Sequence, residues 1–132
     1  MMVAFEARER SIRADVERLK DARDFAESAA TEFGLDAEAR YQVKLAMSEA
    51  VTNAILHGSA SSRDTIRLAA AEEAGALVFE VHDTGRFNPR VTRRSELPES
   101  GRGLEFMRLL MDDVILRPGR AGTLLRFSKR RL

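Results

Sequence analysis

From Asp36 to Gly58, Ala39, Val43, Ala46, Met47, Ala50 and Ala54 recur at steps of three and four residues, the period of one helical face. Asp36 is a good N-cap and Gly58 a good stop, so the pattern predicts a helix from Ala37 to about His57. A second amphipathic helix is expected before it, from a cap at Ser11 through Ile12, Val16, Leu19, Arg23, Ala26 and Ala30 to Phe33, with Gly34 as its end. The flanking segments have a different period. Val3, Phe5 and Ala7 alternate weakly, Thr65 to Ala69 alternates clearly, and Ala76 to His82 is rich in β-formers; Glu72 to Gly75 reads as the turn between the last two. Pro89, Pro98 and scattered Arg and Ser then break any period as far as Gly101. A helical pattern resumes from Gly103 to Met111, and Val114 to Leu116, a Pro118–Gly122 turn and Thr123 to Phe127 close the chain as strand, turn and strand. This order lacks the βα alternation of a doubly wound parallel sheet. The expected fold class is therefore α+β, a two-layer sandwich with helices on one face of a mixed, mainly antiparallel sheet, and residues 1–132 form one domain.

Size and charge narrow the function. A chain of 132 residues, 44% hydrophobic and 33% charged, can bury a core without staples. Its 22 Lys and Arg against 21 Asp and Glu leave a net charge of +1, too little field for direct nucleic-acid binding. Without cysteine there is no disulfide, thiolate metal site or cysteine nucleophile. The charged N-terminus does not read as a signal peptide, and the run from Ala50 to Leu56 is interrupted by Thr52 and Asn53 and far too short to span a bilayer. A cytoplasmic location with no membrane partner is expected.

Chemistry concentrates in four places. Glu49 and Asn53 stand four apart on the second helix, about 6 Å along its axis, and His57 extends the stripe. Elsewhere such residues form a solvated face, and a terminal histidine complements the helix dipole. Here Ala50, Val51, Ala54, Ile55 and Leu56 surround Asn53, so an acid and an amide within an apolar arc call for a partner such as a divalent cation with a phosphate-bearing ligand. Asp83 ends a strand two residues before Gly85, which suits either a ligand meeting the sheet end or a plain turn. Gly101-Arg102-Gly103 opens a helix, where unpaired N–H groups and the Arg102 cation could face an anion. Gly122-Thr123 enters the last strand.

The blocks Leu45–Gly58, Asp83–Phe87, Ser100–Leu104 and Gly122-Thr123, in that order, resemble the GHKL superfamily of ATPases and kinases, whose sandwich is the Bergerat-type ATP-binding fold. Within it they resemble the small serine kinases of the RsbW and SpoIIAB type, anti-sigma factors of bacterial partner switching. The resemblance implies ATP and Mg²⁺ as cofactors. It implies Asn53 as the Mg²⁺ ligand, Glu49 as catalytic general base and Asp83 as acceptor from the adenine amino group. Gly85 would lie beneath the base, Gly101 and Gly103 would follow the phosphates, and Thr123 would reach adenine. Arg102 is a candidate phosphate cation on charge and position alone.

Two features depart from the family pattern. Arg86-Phe87 follows Gly85 directly where relatives carry a further glycine, shortening that loop by one residue. No phosphorylatable histidine block precedes the ATP-binding region, because His57 and His82 lie within it, so a complete sensor histidine kinase is not expected. The implied activity is an ATP-dependent protein serine/threonine kinase that phosphorylates a STAS-domain anti-sigma-factor antagonist and holds a sigma factor, as a homodimer. Alternatives are a nucleotide-dependent binding module without productive catalysis, and a switch kinase acting on a scaffold STAS protein. The short segment from Phe87 to Ser100 carries Arg90, Arg93 and Arg94, which could attract nucleotide or an acidic partner.

Overall fold

Each strand of the chain puts alternate residues on one side, and those residues are apolar on all but the first strand. In the computed structural model, which describes residues 4–57, 59, 61–83, 98–119 and 121–131 but not the side chains of 98–102, five strands form one sheet. They are β1 (Arg8–Arg13), β2 (Thr65–Glu73), β3 (Ala76–Asp83), β4 (Asp113–Gly119) and β5 (Gly122–Arg130), in the order β1-β2-β3-β5-β4. All four pairings are antiparallel, so the parallel component expected of a mixed sheet is absent among the described residues. The register places Ile66, Leu68, Ala70, Leu77, Phe79, Val81, Leu125 and Phe127 on one face, and all of them belong to a single buried core.

Three helices cover that face: α1 (Leu19–Phe33), α2 (Ala37–His57) and α3 (Pro98–Leu110). The α2 boundaries agree with the sequence pattern, and Asp36 caps the helix by accepting from the Ala39 N–H at 2.8 Å. Ala39, Val43, Ala46, Met47, Ala50, Val51 and Ala54 are its buried positions. Lys44 reaches back to Glu27 of α1 at 2.6 Å, and this hydrogen bond and charge hold the Glu27 carboxyl below its ordinary range. α2 packs against α1, α3, β3 and β5, so it is the central helix of the layer.

Three expectations are corrected at the element ends. The first strand is Arg8–Arg13 rather than Val3 to Ala7. Its helix-facing positions were disguised, because Arg8 and Arg10 point inward and end on Glu32 and Asp21 of α1 at 2.5 and 3.6 Å; their long stems cover apolar surface while the charges pair. Ser11 consequently sits in β1 and is no cap. Asp15 caps instead, accepting from Glu17 N–H at 3.0 Å ahead of a 3-10 turn, Val16–Arg18, that leads into α1. Thirdly, α3 begins at Pro98, so Gly101 and Gly103 lie inside the helix rather than before it. Proline at a first helical position with glutamate next is a favourable start.

The opposite face of the sheet carries a charged cluster beside the buried Ala76 and Val78. There Glu80 accepts from Arg126 at 3.2 Å and sits 3.2 Å from His82, while Arg126 also reaches Glu73 at 2.7 Å. Burial pushes the Glu80 carboxyl up, but His82 and Arg126 outweigh it and hold the group below the usual carboxylate range.

Candidate functional site

Glu49 and Asn53 occupy the edge of the buried arc of α2, both half-buried, one turn apart. Their side chains converge on α3. An ideal Cβ placed on Gly103 would lie 3.0 Å from Glu49 Oε2, 3.6 Å from Asn53 Nδ2 and 3.7 Å from Asn53 Oδ1. Gly103 is itself buried, so the missing side chain is what lets α3 lie against the acid and the amide. The sequence placed Gly103 in a separate block from Glu49 and Asn53; the packing of α2 on α3 makes them one cluster.

A second cluster forms where β3 and β5 leave the ladder. Asp83 is 7% exposed, and it is the one charged residue counted as buried among those described. Its Oδ1 accepts from the main-chain N–H of Thr123 at 3.0 Å. Thr123 therefore meets Asp83 through its backbone, a role not foreseen from its side chain. Gly122, which the sequence marks as a turn and strand start and as part of the fourth block, carries φ +126, and an ideal Cβ there would fall 2.0 Å from the Asp83 carbonyl oxygen. Only the glycine at the strand start hinted at this in the sequence.

Among the other expected residues, Gly101 and Arg102 lie on α3 two residues and one residue before Gly103, with no side-chain position described for Arg102. Gly85 falls outside the described residues, as do Arg90, Arg93 and Arg94. His57 ends α2, where the helix dipole alone would favour its charged form. Burial wins instead and pushes its imidazole below the ordinary value. A histidine whose folded value is depressed favours folding above its unfolded value and opposes it once protons bind. Stability should therefore fall as pH drops from about 6.5 through the lower folded value. Urea melts at stepped pH should show this component in the wild type, and His57→Gln should remove it.

Among the described residues no three His, Asp or Glu side chains gather as a ready metal cage. The donor chemistry at Gly103 still suits Mg²⁺, which takes hard oxygen ligands and fills most of its octahedron with water and phosphate oxygens, so an amide oxygen with a neighbouring carboxylate is sufficient protein. Asn53 Oδ1 would hold the ion, and the ion would supply neutralisation of phosphate charge.

A five-stranded antiparallel sheet with helices on one face, an acid and amide on the central helix, and a buried aspartate at a strand end define a sandwich of the GHKL class. Residues 12–129 match the histidine kinase-like ATPase domain family, and the chain belongs to that family. It is 38% identical over 80 residues to an anti-sigma F factor of Clostridium acetobutylicum, covering 54% of this chain and 56% of that protein. It is 34% identical over 98 residues to an anti-sigma F factor of Clostridium botulinum, covering 67% and 68%. The chain thus spans little more than half the length of the first of these relatives. Among solved structures, it resembles the RsbU and RsbW domains of a Mycobacterium tuberculosis protein with TM-score 0.73 at 23% identity, over 95% of this chain and 32% of that one. That likeness is one of fold. No described helix is long and apolar enough to cross a membrane.

Proposed function

We propose that the protein is a cytoplasmic anti-sigma factor that uses Mg-ATP to phosphorylate a serine or threonine of a STAS-domain antagonist, and that holds its sigma factor when the antagonist is phosphorylated. The observation that carries this reading is the convergence of Glu49 and Asn53 on Gly103. Phosphoryl transfer requires little covalent chemistry of a protein; it requires charge neutralisation, positioning and a group that accepts the hydroxyl proton. Asn53 provides the metal oxygen and Glu49 the proton acceptor, one helical turn apart. Asp83 reads the adenine amino group from the sheet end, with Thr123 beside it, and Gly85 gives the base room. On α3, Arg102 is the candidate cation for the phosphates and Gly103 makes the room that Glu49 and Asn53 occupy, whereas the amides of Gly101 and Gly103 lie past the first turn and are spent within the helix. The anti-sigma F factor relatives motivate the partner assignment, and homodimerisation follows the same analogy.

Incubation of the purified protein with labelled ATP and a STAS antagonist encoded nearby should transfer phosphate to Ser or Thr of the antagonist. Nucleotide binding without any transfer would refute the kinase assignment.

Gly103→Ala separates the site from the fold. Alanine in a helix interior is favoured over glycine by roughly 0.5–1 kcal/mol, and the contact it creates is with the movable end of Glu49. The variant should melt no lower than the wild type yet transfer phosphate more slowly, because the new methyl displaces the Glu49 carboxyl. Equal transfer rates would show that α3 does not constrain Glu49.

A further inference from the structure

We infer that Gly122 is a positioning residue for the carboxylate of Asp83, and that it sets the selectivity of the site among purine bases. The inference rests on the reading of Asp83 as the acceptor of the adenine amino group.

The β3–β5 ladder runs through Phe79↔Phe127 and Val81↔Leu125 to His82↔Leu124. The described register ends there. Beyond it the Thr123 N–H donates to Asp83 Oδ1 at 3.0 Å, and the chain entering β5 passes directly over Asp83. Gly122 makes the passage: a Cβ there would stand 2.0 Å from the Asp83 carbonyl oxygen, 3.0 Å from its carbon and 3.3 Å from Oδ1. The first two of these are backbone atoms that no rotamer change can move. The φ of +126 is likewise a conformation that an L side chain rarely adopts. Any side chain at position 122 must lift the start of β5 off β3 and take the Thr123 N–H with it.

A charge-assisted bond from a backbone amide fixes the plane of the carboxylate. A carboxylate offers about four lone-pair directions, so accepting from Thr123 orients the group without exhausting it. Orientation is what discrimination needs: an acceptor aimed at the amino group of adenine opposes the carbonyl that hypoxanthine carries there, whereas a swivelling one tells the two apart poorly. On this account base choice depends on Gly122 through the carboxylate it lets the Thr123 amide hold.

The test is the ratio of affinities for Mg-ATP and Mg-ITP, measured by calorimetry on the full chain. Gly122→Ala should lower the ratio by about tenfold or more, mainly through ATP. An amide-to-ester replacement at Thr123 deletes the N–H, keeps the side chain and should act in the same way; it also carries the test if Gly122→Ala does not fold. A merely structural glycine would weaken ATP and ITP in parallel, and an unchanged ratio in the ester variant overturns the inference. Asp83→Asn identifies which step has failed: it should erase the ATP preference. If it erases the preference while the ester does not, Gly122 has no positioning role. If the preference survives Asp83→Asn, the base-reading role of Asp83 falls, and the inference with it.

Discussion

Replacing Glu49 by glutamine is expected to slow phosphate transfer by about 10²–10⁴-fold, a barrier increase of about 3–5 kcal/mol, with Mg-ATP affinity nearly unchanged. The amide has the shape of the carboxyl and keeps its half-buried place against Gly103. It cannot take the proton of an attacking hydroxyl. Because Asn53 is untouched, the proposed metal ligand survives and binding should survive with it. Asn53→Ala should do the opposite at the binding step, weakening Mg-ATP affinity before any effect on chemistry is considered. Single-turnover transfer of labelled phosphate, run beside calorimetric titration, separates the two because it distinguishes lost transition-state stabilisation from lost ground-state binding. A protein that holds its partner in a nucleotide-dependent way without catalysis would regulate that partner normally after Glu49→Gln. Wild-type transfer rates in the glutamine variant would remove Glu49 from the reaction.

The parts of the molecule that were legible in the sequence are those whose signal is local. α2 was readable from cap to terminus because its apolar positions keep one period for 21 residues and Asp36 announces the start. The β2–β3 hairpin was readable because β2 alternates, β3 is rich in β-formers and Glu72 to Gly75 joins them as a turn. β1 was not, since Arg8 and Arg10 occupy inward positions and become acceptable there only when α1 supplies Glu32 and Asp21. The start of α3 was missed for a similar reason: glycines argue locally against a helix, yet Gly103 is required at that point because α2 presents Glu49 and Asn53 to it. The candidate site divides along the same line. The residue types of Glu49, Asn53 and Asp83 stood out by chemistry, whereas the Thr123 amide on Asp83 and the steric demand on Gly122 exist only once two strands 40 residues apart are paired. Side-chain identity is carried by the sequence; a backbone amide or a forbidden Cβ is carried by the register.

Phe79→Ala is expected to cost about 3–5 kcal/mol of stability, a large share of the roughly 5–15 kcal/mol that holds a domain of this size. Phe79 is fully buried, and it is the direct cross-strand partner of Phe127, with the rings stacked at 5.4 Å between centroids and 23° between planes. Truncation removes the stacking and leaves a cavity beneath the helices that neither strand can close, because each is also paired on its other side, β3 with β2 and β5 with β4. The melting temperature should fall by roughly 10–20 °C. The consequence reaches the site, since Asp83 lies four residues beyond Phe79 and Thr123 four residues before Phe127 on the paired strand. A nucleotide bound across that junction stabilises the native state by an amount that grows with the logarithm of its concentration relative to its Kd. Saturating Mg-ATP should therefore raise the melting temperature of the variant, and the rise should vanish when Asp83→Asn is added. A fall of less than about 5 °C on truncation would mean that the β3–β5 seam yields easily, and the junction it carries would then lack the rigidity required to orient Asp83.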